Sequence, residues 1–114
     1  IIQNDYIKRL LAEAKTRIEI ARLLFYYSSW RCDEGLPYDV CASYSKLFSS
    51  ELYHFIADVG MEILGVYGQV KAGDKYCKLK GRIELLYRHC VAQTIGGGTS
   101  QIQRNLIAKR GLGL

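Results

Sequence analysis

From Ile7 to Ser28 the apolar and small residues return every three or four positions: Ile7, Leu10, Leu11, Ala14, Ile18, Ala21, Leu24, Phe25 and Ser28 form one row. A strand cannot carry that spacing, because its side chains alternate with a period of two. An amphipathic helix can, and Lys8, Arg9, Glu13, Lys15, Arg17 and Arg22 then fill the face turned to water. Asn4 or Asp5 can cap the start, and Gly35 before the single proline, Pro37, supplies the stop. The spacing predicts one helix from about Asp5 to Asp33, long for a globular domain.

Pro37 opens a second helix, with Asp39 placing negative charge near its positive end. Its stripe is Tyr44, Phe48, Leu52, Phe55, Ile56, Val59 and Ile63, and Gly65 ends it after Leu64. Residues 66–73 read as a loop. A third helix is expected from Lys78 to Gln93, with Leu79, Ile83, Leu86, Tyr87 and Cys90 on one face. Gly96, Gly97 and Gly98 break the chain, and Thr99 or Ser100 caps a short fourth helix to Lys109, ended by Gly111. Helices near 5–33, 38–64, 78–93 and 99–109, with no alternating pattern, predict an all-α antiparallel helical bundle, a single domain across 1–114.

Several function classes drop out on composition. Lys and Arg number 16 against 11 Asp and Glu, a net charge of +5, but no nucleic-acid-binding motif accompanies the basic stretch from Lys71 to Arg88. No apolar run is long enough to cross a bilayer. The opening Ile1-Ile2-Gln3-Asn4-Asp5 has neither the charged end nor the apolar stretch of a leader, and both ends read as cut from something longer. Cys32, Cys41, Cys77 and Cys90 form no C-x-x-C pair, and His54 and His89 complete no zinc spacing, so no metal is expected. The cysteines sit within helical patterns and are expected to be reduced. His54 has no nucleophile at a recognisable spacing.

The glycine triplet stands apart from this background. A glycine-rich turn running into a capped helix leaves backbone N–H groups without partners at the positive end of the helix dipole, a geometry that accepts anions and carbonyl oxygens. A tight turn between two helices would use the same residues.

The stretch Ile95-Gly96-Gly97-Gly98-Thr99-Ser100-Gln101-Ile102-Gln103-Arg104-Asn105-Leu106-Ile107-Ala108 closely resembles the end of acyl-CoA dehydrogenases, which read Ile-Tyr-Glu-Gly-Thr-Ser, then Gln or Glu, Ile-Gln-Arg and an apolar run. Leu11-Ala12-Glu13 through Ile18-Glu19-Ile20-Ala21-Arg22 resembles the family's Leu-Ala-Glu-Met and Glu-Leu-Ala-Arg helix. Met61-Glu62-Ile63-Leu64-Gly65-Val66-Tyr67-Gly68 resembles its Gln-Ile-Phe-Gly-Gly-Asn-Gly segment. The closing Arg110-Gly111-Leu112-Gly113-Leu114 also matches many members.

The resemblance implies an FAD-dependent oxidoreductase of fatty acid metabolism. It removes the α-proton of an acyl-CoA thioester while the β-hydrogen leaves as hydride to the flavin. It implies that Thr99, Ser100 and Gln101 touch the flavin, that Gly98 borders the substrate, and that Glu62, Ile63, Leu64, Gly65 and Val66 hold the dinucleotide of a neighbouring subunit. Three departures matter. Glu62 puts a carboxyl where the family has an amide, Val66 replaces a glycine, and Gly97 occupies the position of the usual glutamate base. Glycine cannot take a proton. The family offers two remedies, a base on an earlier helix of the same domain or a base-bearing sister subunit, and both remain open.

The resemblance also implies that the first helix of the family's four-helix bundle precedes Ile1. Apolar surface around Leu11, Ile18, Phe48, Phe55 and Ile56 would then lie uncovered, and ~400 Å² of it is equivalent to ~10 kcal/mol at ~25 cal/mol per Å². Self-association as a two-fold dimer is the expected remedy. The expected partners are acyl-CoA and FAD in the parent protein, and a like or sister subunit, with no nucleic acid and no membrane. The expected location is cytoplasmic, or the mitochondrial matrix in a eukaryote. The fragment is expected to be inactive alone; the competing reading is a non-catalytic helical subunit that binds a partner chain.

Overall fold

The computed structural model describes residues 3–114; Ile1 and Ile2, part of the segment read for a leader, lie outside them. Four α-helices follow in order: α1 Asp5–Asp33, α2 Asp39–Leu64, α3 Arg82–Gln93 and α4 Ser100–Leu106, the last running on as a π-helical stretch, Ile107–Leu112. No strand occurs among the described residues. The all-α expectation holds.

The first two helices follow the apolar rows that the sequence laid down. The Asn4 side chain accepts from the N–H groups of Tyr6 and Ile7, at 3.0 and 3.4 Å, and so caps α1. At the other end the chain turns through Gly35, at φ +65°, and Arg31 donates to the carbonyl of Pro37 at 2.7 Å. On the wet face of α1, Glu13 pairs with Arg17, and Glu19 with Lys15 and Arg22.

α2 is the centre of the molecule, packed against α1, α3, α4 and the π-helical tail, whereas α1 and α3 barely meet. An open groove results, floored by α2 and walled by α1 and α3. Leu11, Ala14 and Ile18 line one side, Ile56, Val59, Gly60 and Ile63 the floor, and Ile83 the other. Gly60 lies on its floor: a Cβ there would meet Ile83 Cδ1 at 2.8 Å, so any larger residue would push the Ile83 side chain aside. The buried apolar core is slight, Ala14, Leu52, Ala57, Val59 and Cys90, and only Leu52 among them is large.

Three expectations need correction. Phe48 and Phe55 do not share the groove of Leu11, Ile18 and Ile56. The Arg17 guanidinium lies 3.9 Å above the Phe55 ring, and Phe48 lies with Arg17, Glu51 and Leu52 on that same flank. The 66–73 loop begins as a 3-10 turn, Gly65–Gln69. The third helix starts later than Lys78, because Leu79 and Lys80 adopt positive φ, 49° and 56°, within a 3-10 turn, Leu79–Gly81. Gly81 explains that geometry: a Cβ on it would lie 2.5 Å from the Ala72 nitrogen. The chain folds back against its own backbone there and cannot enter α3 in a straight line.

Candidate functional site

The glycine triplet and the start of α4 form a pinned turn. Gly97 and Gly98 adopt φ +70° and +96°, which side chains disfavour. Both of their carbonyls are held: Gln103, 6% exposed, donates its side-chain amide to Gly97 O at 2.9 Å, and Lys46 of α2 donates to Gly98 O. Thr99 then caps α4 by accepting from the N–H of Ile102 at 3.3 Å. The next two N–H groups, of Ser100 and Gln101, lie in the first turn of α4 and have no intrahelical acceptor. Thr99 and Ser100 are half-buried and Gln101 is exposed. Nothing fills the position of Gly97 except hydrogen; a Cβ there would find its nearest neighbour, Lys46 Cε, at 3.8 Å.

The second group of candidates closes α2 instead. The Tyr6 hydroxyl donates to the Glu62 carboxylate at 2.6 Å and ties the start of α1 to the end of α2. That hydrogen bond raises the Tyr6 pKa, with burial and the charge of Glu62 acting in the same direction. Ile63 and Leu64 line the apolar groove. Gly65 sits at φ +53°, ψ −134°, a conformation essentially reserved for glycine, and Val66 is 76% exposed. Lys46 and Gly65 stand 19 residues apart on α2, about 28 Å at ~1.5 Å per residue. The two groups are not brought together within one chain.

Two further polar features flank these positions. Between α1, α2 and the glycine turn lies a cleft of about 370 Å³, bordered by Phe25, Ser28, Ser45, Lys46, Gln93 and Gly96. Glu84 of α3, 9% exposed, takes a two-pronged contact from Arg88, Nε to Oε1 at 2.5 Å and Nη2 to Oε2 at 3.2 Å. That pairing holds its carboxyl below the ordinary carboxylate range against the opposing effect of burial. Elsewhere the buried Cys90 thiol lies 3.4 Å from His54 Nδ1 and donates to Tyr87 O at 3.0 Å. All four cysteines are free thiols. No cluster of three metal-ligating side chains occurs among the described residues.

Residues 1–112 match the family described as acyl-CoA dehydrogenase, C-terminal domain. The chain belongs to the acyl-CoA dehydrogenase family. It is 30% identical over 118 residues to the acyl-CoA dehydrogenase FadE26 of Mycobacterium tuberculosis, covering 100% of this chain and 29% of that protein. Among solved structures it superposes on the ChsE4–ChsE5 complex from Mycobacterium tuberculosis with a TM-score of 0.89 and 30% identity, covering 99% of this chain and 28% of that one. It also superposes on the Tcur3481–Tcur3483 steroid acyl-CoA dehydrogenase with a TM-score of 0.94 and 26% identity, covering 99% and 29%. The chain thus spans less than a third of the length of these relatives.

Within this acyl-CoA dehydrogenase domain, the sequence pattern revealed the turn but not what holds it. Lys46 falls on the row Ser43, Lys46, Ser50, Ala57, in which the other three are buried. A cation in a buried row is the signal that could have marked it. Gln103 carries no comparable signal, because a polar residue on a short helix reads as surface.

Proposed function

We propose that residues 1–114 form one domain of an FAD-dependent acyl-CoA dehydrogenase. On this reading the full-length protein desaturates acyl-CoA thioesters between Cα and Cβ, in the cytoplasm, and the domain is inactive alone. The observation that carries the reading is the pinned turn, Gly96 to Thr99, leading into α4. The chain's part in the chemistry is to hold and orient. The N–H groups of Ser100 and Gln101, with the Thr99 hydroxyl proton, are available as donors to carbonyl oxygens of a flavin, and the family-like Thr99-Ser100-Gln101 matches that use. The flavin supplies the hydride acceptor when bound. Gly98 lets the backbone come close to a substrate because it carries no Cβ.

The second set fits the dinucleotide poorly. A carboxylate at Glu62 repels a pyrophosphate, and it is engaged by Tyr6. Ile63 and Leu64 face apolar surroundings, which leaves Gly65 as the backbone contact and Val66 as an exposed obstruction. The ~28 Å between the two sets along α2 is in keeping with their serving different flavins in an oligomer.

A second reading is favoured by Gly97, which offers no side chain to take a proton. Here the chain belongs to a non-catalytic subunit whose sister supplies the base, a reading supported by the likeness to the ChsE4–ChsE5 complex, which has two components. Anaerobic addition of an acyl-CoA to the purified full-length protein tests both. Bleaching of the flavin by this protein alone supports the enzyme reading. Bleaching only after a sister subunit is added supports the second.

A further inference from the structure

Two successive peptide groups of the glycine turn are each held by the carbonyl end. Gly97 O accepts from the Gln103 side-chain amide at 2.9 Å, and Gly98 O accepts from the Lys46 ammonium. No cis peptide occurs among the described residues, and in a trans peptide the N–H points opposite to the carbonyl. The Gly98 N–H is therefore turned away from Gln103, and the Thr99 N–H away from Lys46. Neither finds an acceptor among the described residues, nor does the N–H of Gly97, Ser100 or Gln101. Five consecutive donors stand free while the carbonyls between Gly97 and Thr99 are both engaged.

Lys46 also brings a charge that nothing near it cancels. It is half-buried, yet it pairs with no carboxylate among the described residues. An ammonium hydrogen-bonded to a carbonyl makes one of the stronger contacts a backbone can accept. It also polarises the peptide, so that the N–H at the far end becomes a better donor. Gln103, 6% exposed, does the same for the Gly98 N–H with a neutral amide.

We propose that Lys46 and Gln103 are positioning residues for hydride transfer. Holding the two carbonyls, they aim the N–H groups of Gly98 and Thr99 at an oxygen that gains negative charge, and the Lys46 cation strengthens that donation. The proposal rests on the flavin reading above. A neutral flavin that accepts a hydride from the β-carbon gains one negative charge, shared with its ring oxygens, and nearby donors and cations favour that reduced form. Lys46 and Gln103 act only through the backbone; neither touches flavin or substrate.

The test is the midpoint potential of the flavin in the full-length protein, with any subunit that copurifies, for Lys46→Met and Lys46→Arg. Gel filtration before each measurement removes flavin released by unfolded protein. Lys46→Met should lower the ratio of reduced to oxidised flavin at a fixed potential about tenfold, equivalent to about 30 mV for a two-electron couple. Lys46→Arg, which keeps the cation, should return the ratio to within about threefold of the unaltered protein. An unchanged potential in Lys46→Met overturns the proposal and leaves the flavin reading standing. So does a shift, or a loss of flavin, that Lys46→Arg fails to reverse. An unaltered assembly that stays colourless with FAD supplied overturns both together.

Discussion

The Lys46 ammonium on α2 donates to the carbonyl oxygen of Gly98, 52 residues further along the chain, and so fixes the turn that delivers Thr99 to the start of α4. Replacing it by methionine keeps the apolar stem and removes the bond. Lys46→Met should cost about 1.5 kcal/mol, the lower end of the range for a charged hydrogen bond because the site is only half-buried. Amide exchange should quicken at Gly97 to Gln101 while α1 stays protected. Unchanged exchange in that turn would show that Gln103 alone holds it.

Gly98 and Gly35 both adopt positive φ, yet they should respond differently to alanine. A Cβ on Gly35 meets nothing within 4 Å, whereas one on Gly98 would lie 2.9 Å from Gln103 Nε2. Gly35→Ala should cost about 1 kcal/mol, from backbone strain alone. Gly98→Ala should cost about 2–3 kcal/mol, because Gln103 must also surrender its bond to Gly97. Denaturant melts of both variants check this, and equal losses would contradict it.

The long helices were legible because their rows of apolar residues run unbroken, and Asn4 and Thr99 cap where short polar residues precede such rows. The start of α3 was not legible. Leu79 and Lys80 are ordinary helix formers held at positive φ by a backbone contact between Gly81 and Ala72, which no local pattern announces. The separation of Phe48 and Phe55 from the groove escaped for a related reason. They share a helix with Ile56 but point to the flank where Arg17 lies. In the candidate site the glycines and Thr99 could be read directly, while Lys46 acts across 52 residues of chain and Gln103 reads as surface on a short helix. Serines within a helix read as wet surface until the neighbouring helix is in place.

Acid should weaken the molecule partly through Glu84. Arg88 lowers its folded pKa below the ordinary value of 4.5, chiefly by hydrogen bonding to it. A depressed carboxyl contributes stability that is fully present above the unfolded pKa and lost as pH falls through the folded one. Glu84→Gln should therefore be less stable than the parent at pH 7, with the gap closing below about pH 4.5. Thermal melts between pH 7 and 3 measure it; a gap constant across that range would rule out the Glu84 carboxylate as its source.

The groove between α1 and α3 leaves Leu11 49% and Leu79 62% exposed beside Ile18, Ile56 and Ile83. The 114-residue chain by itself should cover this face by self-association. Ile18→Glu, which places a charge on the groove wall, should shift it toward monomer by at least tenfold in dissociation constant, on the order of 1.4 kcal/mol. Sedimentation at micromolar concentration decides: a stable, well-folded monomer of the unaltered chain would mean that the bundle closes without another helix.

Flavin content tests the central claim most directly. The donors at Ser100 and Gln101 form only part of a flavin site, and Glu62 to Val66 stand ~28 Å away along α2. The 114-residue chain should therefore elute colourless from gel filtration after incubation with FAD. The full-length protein, alone or with its sister subunit, should retain FAD stoichiometrically and show the flavin absorbance band. Stoichiometric flavin on the short chain would reveal a self-contained site. A full-length assembly that stays colourless with FAD supplied would contradict the assignment of this domain to an FAD-dependent dehydrogenase.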